Sequence, residues 1–366
     1  MTLSKDNRVA FVLLLFIVSV LGFGGWLLLG SKEAVTEYTH DLGEFYMPAD
    51  FEAQSLLFLA GEDLAISLPG LMQSIVKEVV GEVPVKILTG SSAGSQTVEL
   101  LLADFPPTEI VQLREGSMWL RDFGPLTVTD QAGKRSFVNF NSGLRRCLKS
   151  DNSAVSVLSV QLDLAILSNH LWVEGGDVLT NGRGLGVLSE RVLLANEDFR
   201  DKKPKDIVQT VASLLGFENV IVLPPLQGEP AGHVDMYCAF LATNLVVVGE
   251  GDPKDDRENA DLLNQIARDL KGQPTFDGPL RVERIPQPGH SDGVWRSYTK
   301  LVFANDVVLV PVYPDYCPES DAEALAFYRR LLPERRIVGV DASGLAELGG
   351  NLRDIMVPVA LGAPFN

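Results

Sequence analysis

Short apolar runs recur along the chain, separated by longer segments of helical period. SLLFLA (55–60), VKIL (85–88), NVIVL (219–223), LVVVG (245–249), DVVLVPV (306–312) and RIVGV (336–340) have the length and β-branched content of buried strands. Between them, helical periodicity begins near Leu64, Ser153, Lys205, Asp255 and Asp321. The last of these, DAEALAFYRRLLPE, predicts an apolar stripe of Ala322, Leu325, Leu331 and Leu332, with Pro333 as the stop. Asp321 and Glu323 stand at its start, where the positive end of the helix dipole favours carboxylates. Strands alternating with single helices, punctuated by Gly and Pro turns, predict an α/β architecture. About five helices spread evenly suggest repeated units, although no repeat is visible letter by letter.

The amino terminus follows a different pattern. Residues 9–30 (VAFVLLLFIVSVLGFGGWLLLG) carry no charge and are long enough to cross a hydrocarbon core of about 30 Å as a helix. Lys5 and Arg8 precede the run, while Glu33, Glu37, Asp41 and Glu44 follow it. The positive-inside bias then keeps residues 1–8 cytoplasmic and exports the rest to the periplasmic or extracellular side. A cleaved signal peptide is the alternative. Its apolar region is ordinarily shorter, and no small-x-small cleavage site follows Gly30, so a retained single-pass anchor is the expectation. Residues 31–43 read as a polar tether and 44–366 as a continuous globular domain.

With 366 residues the chain can bury a full core. Its net charge of −17 excludes a phosphate-binding surface for nucleic acid, which needs clustered Lys and Arg. An acidic surface attracts cations, but it also simply keeps a protein soluble. The three cysteines, Cys147, Cys238 and Cys317, lie far apart with no CxxC or Cys/His metal spacing, so neither a disulfide framework nor a metal centre is implied.

Three segments carry candidate chemistry. MWLRDFGP (118–125) places Asp122 beside a Gly-Pro turn that would end a strand; the plain alternative is a turn-capping Asp paired to Arg121. In GHVD (232–235), a strand would put His233 and Asp235 on one face, suited to shared proton transfer, although H-x-D is common. WVEGGDV (172–178) sets Glu174 and Asp177 around adjacent glycines that permit close backbone approach, or else a plain tight turn.

In this order and spacing, W-x-R-D-x-G-P, E-G-G-[DN] and G-H-V-D resemble the agmatine deiminase and bacterial peptidyl-arginine deiminase family. MPADFE (47–52) is similar to that family's opening segment, SYTKLVFANDVVLVPVY (297–313) to its late strand pair, and GLAELGGNLRDIM (344–356) to its terminal motif. The resemblance covers roughly residues 44–366. It implies a pentein fold of five pseudo-repeated ββαβ units around a central axis, with no cofactor. In the family a Cys thiolate attacks the guanidinium carbon, ammonia leaves, a His shuttles protons and water releases a ureido product. Two carboxylates clamp the planar guanidinium fork. Carried over, Asp122 and Asp235 are the guanidinium clamps, His233 the proton shuttle and Trp119 a wall of the site offering its face to a cation. The implied ligand is a small cationic guanidine or an arginyl peptide.

The terminal motif departs from the pattern. The family reads G-G-G-[LI]-H-C, whereas here Gly349-Gly350-Asn351-Leu352-Arg353-Asp354 puts Arg353 at the His position and Asp354 at the nucleophile position. No cysteine follows Cys317. The family's Y-x-N element reads Tyr298-Thr299-Lys300, with Asn305 at the second Asn position. Three aspartates in one site repel one another unless cations neutralise them, and Lys300 and Arg353 supply that charge. Two functional readings follow: a pseudoenzyme that binds a guanidinium or other cation, or an active guanidine deiminase using Cys147 or an activated water. A third, a scaffold held near the membrane, needs no chemistry.

Overall fold

One pattern recurs through the computed structural model: an antiparallel strand pair, a helix, and a third strand parallel to the second. The structure describes residues 36–39, 44–113, 117–142, 154–200 and 202–362, all within the unit Val35–Asn366. The predicted anchor 9–30 lies outside the described residues; among the described residues no helix is long and apolar enough to cross a membrane.

The second unit pairs Leu126–Asp130 with Arg135–Asn141, crosses by the helix Ala154–Leu162, and adds Ala165–Trp172. The third pairs Val178–Thr180 with Leu185–Ser189 and returns through Pro204–Leu215 to Asn219–Leu223. The fourth uses Cys238–Ala242, Leu245–Glu250, the helix Arg257–Leu270 and Arg281–Pro286. The fifth uses Val302–Ala304, Val307–Val312, the helix Pro318–Leu331 and Arg336–Asp341. In the first unit the hairpin partner comes from the other end of the chain. Met356–Ala360 pairs with Gln54–Ala60, which continues through Glu62–Ser67 and Pro69–Val79 to Val85–Thr89. A further parallel strand, Glu109–Gln112, extends that sheet. Parallel neighbours require a crossover of about a dozen residues or more, and each helix supplies one.

Local chemistry explains the elements. Val246, Val247 and Val248 are all fully buried, as a continuous apolar run demands of a strand covered on both faces. Pro204 opens its helix at the first turn, Ile207, Val208, Val211, Ala212 and Leu215 form the buried face, and Gly216 closes it at φ 69°. A Cβ on Gly216 would lie 1.6 Å from the Phe45 carbonyl oxygen, so only glycine fits there.

All six predicted strands and all five predicted helical regions are present; the helices Ser92–Leu101 and Glu190–Arg200 were not foreseen. One stripe is corrected. The fifth-unit helix buries Asp321, Ala324, Phe327 and Tyr328, while Ala322 is exposed and Leu325, Leu331 and Leu332 are half-buried. Asp321 turns the helix: it accepts from the Tyr298 hydroxyl at 2.7 Å and from the Tyr313 backbone at 2.8 Å. Those buried hydrogen bonds draw a carboxylate inward that periodicity alone assigns to solvent.

Candidate functional site

The segment that leaves each third strand and enters the next hairpin supplies the polar residues. Four of these segments end in a short helical turn just before the next strand: Leu120–Phe123, Gly175–Asp177, Val234–Met236 and Leu352–Ile355. The fifth is the stretch Ser297–Lys300, which is buried throughout. The first turn packs against the second and the last, and the second packs against the third. Asp122, Glu174, Asp177, His233, Asp235, Lys300, Arg353 and Asp354 are therefore all buried.

Two local expectations are corrected. GHVD is not a strand: His233 precedes a turn of 3-10 type and the strand begins at Cys238. Asp122 lies within one helical turn rather than at a strand's end, because Gly124 and Pro125 precede the strand Leu126–Asp130.

Glycines let these turns close. A Cβ on Gly176 would sit 2.4 Å from His233 Nδ1, and one on Gly175 would meet the Arg121 carbonyl oxygen at 2.4 Å. Gly350 carries the Trp119 indole, which a Cβ would meet at 1.9 Å, and Gly349 adopts φ 83°. Trp119 thus packs its indole on Gly350, in the terminal segment that carries Arg353 and Asp354.

Two charge networks occupy the centre. In the first, Glu174 Oε2 lies 2.9 Å from His233 Nε2 and accepts from the Arg191 guanidinium at 2.6 and 3.0 Å. The Glu174 backbone N–H donates to Asp177 Oδ2 at 2.9 Å, and Asp177 Oδ1 lies 3.7 Å from Arg191. Burial alone would lower the His233 pKa. The hydrogen bond to Glu174 and the charges of Asp122 and Asp177 outweigh it and raise the pKa to about 9, so the ring is an imidazolium near neutrality.

In the second, Lys300 Nζ bridges Asp235 Oδ1 at 2.6 Å and Asp354 Oδ1 at 2.7 Å. Arg353 Nε donates to Asp235 Oδ2 at 3.1 Å, and its Nη1 pairs with Asp50. Arg121 approaches the other Asp50 oxygen at 3.9 Å. Asp50, Asp235 and Asp354 thus face Arg121, Arg353 and Lys300, one cation for each carboxylate. Burial opposes ionisation of Asp235, yet Lys300 and Arg353 hold its pKa below the ordinary value. Burial likewise opposes the Lys300 charge, and the two aspartates overcome it and raise the pKa. Arg121 is lowered to about 10 by burial and by Arg353 beside it. Lys300 and Arg353 each pair with two of these carboxylates.

Asp122, His233 and Asp354 bring their polar atoms within 4.8 Å of one another, as do Glu174, Asp177 and His233. Neither group suits a metal ion. His233 commits Nε2 to Glu174 and packs its Nδ1 side on Gly176, and Lys300 and Arg191 already supply the positive charge.

Asn305 is not part of the site. It turns the fifth hairpin at φ 53°, accepts from the Gln54 backbone at 2.8 Å and donates to the Glu82 carbonyl oxygen at 2.8 Å, joining the fifth unit to the first. Cys238 is fully buried in the core, and burial pushes its thiol well above the ordinary range. Cys147 lies outside the described residues. Sequence reasoning missed Asp50, Arg121 and Arg191 as members of the networks. Asp50 and Arg121 stand inside MPADFE and MWLRDFGP; Arg191 sits in a helix with no local signal.

Residues 47–356 match the model of the Porphyromonas-type peptidyl-arginine deiminase family. The chain belongs to that family. Among relatives, an agmatine deiminase of Pseudomonas aeruginosa is 25% identical over 77% of this chain and 84% of its own length. Agmatine deiminase from C. jejuni, solved with substrate bound, superposes with a TM-score of 0.75 at 20% identity, covering 87% of this chain and 97% of that one. The agmatine deiminase of Enterococcus faecalis gives 0.74 at 21%, covering 86% and 96%. At such identities the structural likeness establishes a shared mixed α/β fold, in agreement with the repeated unit seen here.

Proposed function

We propose that this deiminase-family chain binds a guanidine-type ligand without deiminating it. The observation that carries the reading is the Lys300 ammonium, buried and bonded to both Asp235 and Asp354. By resemblance Asp354 stands at the nucleophile position, and its Oδ1 is held by that ammonium. A carboxylate that did attack a guanidinium carbon would form an adduct that expels the carboxylate more readily than ammonia. Cys238, deep in the core with its thiol pushed up by burial, offers no substitute. The ligand class is supported by the relatives named as agmatine deiminases and by the indole face of Trp119 beside Gly350.

The test is direct. The purified protein is expected to release no ureido product from agmatine, arginine or arginyl peptides above buffer background. General acid–base help from His233 alone is worth about 10²–10⁴-fold, small against a resonance-stabilised guanidinium. Clear turnover would overturn the reading. It would favour the second reading, an active guanidine deiminase, which the buried His233–Glu174 pair at 2.9 Å supports. Sensitivity of that turnover to a thiol reagent would point to Cys147, and insensitivity to an activated water.

The proposal includes the amino terminus: residues 9–30 act as a retained anchor that keeps the domain on the exported side. The charge step across the segment supports it.

A further inference from the structure

The cavity that opens onto the second charge network has a volume of about 130 Å³, well above the roughly 10–15 Å³ that one water requires. Lys300 and Asp354 line it, together with Trp295, Met236, Glu229 and Glu347. Of its three donors, the ammonium gives one to Asp354 Oδ1 as a hydrogen bond and turns a second toward Asp235 Oδ1 in an ion pair at 2.6 Å. Its third donor has no partner among the described residues. Asp354 spends Oδ1 on Lys300, and its Oδ2 likewise has no partner among the described residues. Both side chains are more than nine-tenths buried.

The cavity therefore presents one donor and one acceptor side by side; of the charges around it, Asp50, Asp235 and Asp354 face Arg121, Arg353 and Lys300, Asp122 faces His233, Glu229 accepts from the Ala231 and Gly232 backbone, and Glu347 accepts from the Tyr316 hydroxyl. A guanidinium is an all-donor cation. It can satisfy Asp354, but it turns N–H groups and positive charge toward the Lys300 ammonium. A ureido group has the same planar shape and no charge. Its carbonyl oxygen accepts from Lys300 while its amide N–H donates to Asp354. An unpaired buried donor is the costlier outcome, so the fit of donors and acceptors decides between two heads of equal size.

We propose that this pocket selects an uncharged ureido or primary amide head on an aliphatic stem over the guanidinium of the same shape. The inference rests on the non-deiminating reading above and replaces the guanidinium head of its ligand with the uncharged ureido head of the same shape. Lys300 is the specificity-determining residue: it occupies in cis the charge that a guanidinium would bring.

Two ligand pairs test this, because each differs only in oxygen for the iminium nitrogen: citrulline against arginine, and N-carbamoylputrescine against agmatine. Calorimetric titration of the full chain in detergent is expected to show the ureido member binding about 10- to 100-fold more tightly in at least one pair, the span of one hydrogen bond to a charged group. Equal or tighter binding of the guanidinium member in both pairs overturns the selectivity and leaves the non-deiminating reading standing. Binding of none of the four overturns both. In Lys300→Met the bridging charge is gone and the order is expected to reverse; an unchanged order in a folded variant refutes the role given to Lys300. If Lys300→Met does not fold, the wild-type pairs still decide.

Discussion

Replacing Lys300 by Met removes the charge that joins two buried carboxylates while keeping most of the volume. At an effective dielectric of about 20, unit charges separated like the 2.7 Å Lys300–Asp354 contact attract by roughly 6 kcal/mol. The cost of desolvating the ammonium offsets part of this, and stripping one partner from a buried pair commonly leaves a net loss of about 3–5 kcal/mol. Asp235 would keep Arg353, whereas Asp354 would lose its one ion pair among the described residues and keep only the more distant charges of His233 and Arg121. The assay is urea denaturation of the unit 35–366, for Lys300→Met and for the double variant Lys300→Met/Asp354→Leu. The double variant replaces the pair with apolar groups and is expected to recover to within about 2 kcal/mol of the parent. A single-variant loss below about 1 kcal/mol would refute the bridge as a structural element. A double variant no better than the single would show that the damage comes from packing rather than stranded charge.

Two further outcomes are expected. His233 has a folded pKa of about 9 against an ordinary 6.5, so its contribution is complete below pH 6.5 and is lost as pH rises through 9. The loss amounts to about 3 kcal/mol over that window, and His233→Gln should flatten it; an equally steep fall in the variant would assign the effect elsewhere. Reporter fusions placed after residue 40 and at the carboxyl end should both report the exported side. A cytoplasmic signal from either refutes the topology, and a mature chain starting near Lys32 refutes the retained anchor.

The runs NVIVL, LVVVG and DVVLVPV announce their strands because a strand covered on both faces must be apolar at every position. The strands Leu126–Asp130, Arg135–Asn141 and Ala165–Trp172, which pair with one another, went unread, since Thr, Asn, Ser and His interrupt their apolar residues. The amino-acid order determined the α/β class, the helical crossovers, the family resemblance and most of the polar residues that the central turns bring together. Glycine pairs at 175–176 and 349–350 marked where backbone must approach closely, but not what would approach. Only the tertiary structure brought Arg191 onto Glu174 and Asp50 onto Arg353, contacts spanning 17 and 303 residues of chain. It also turned GHVD from an expected strand into a tight turn and set Lys300 between Asp235 and Asp354. Local sequence fixes which groups carry charge. Which charges neutralise one another depends on distances across the central turns, and those exist only once the units of the domain have packed together.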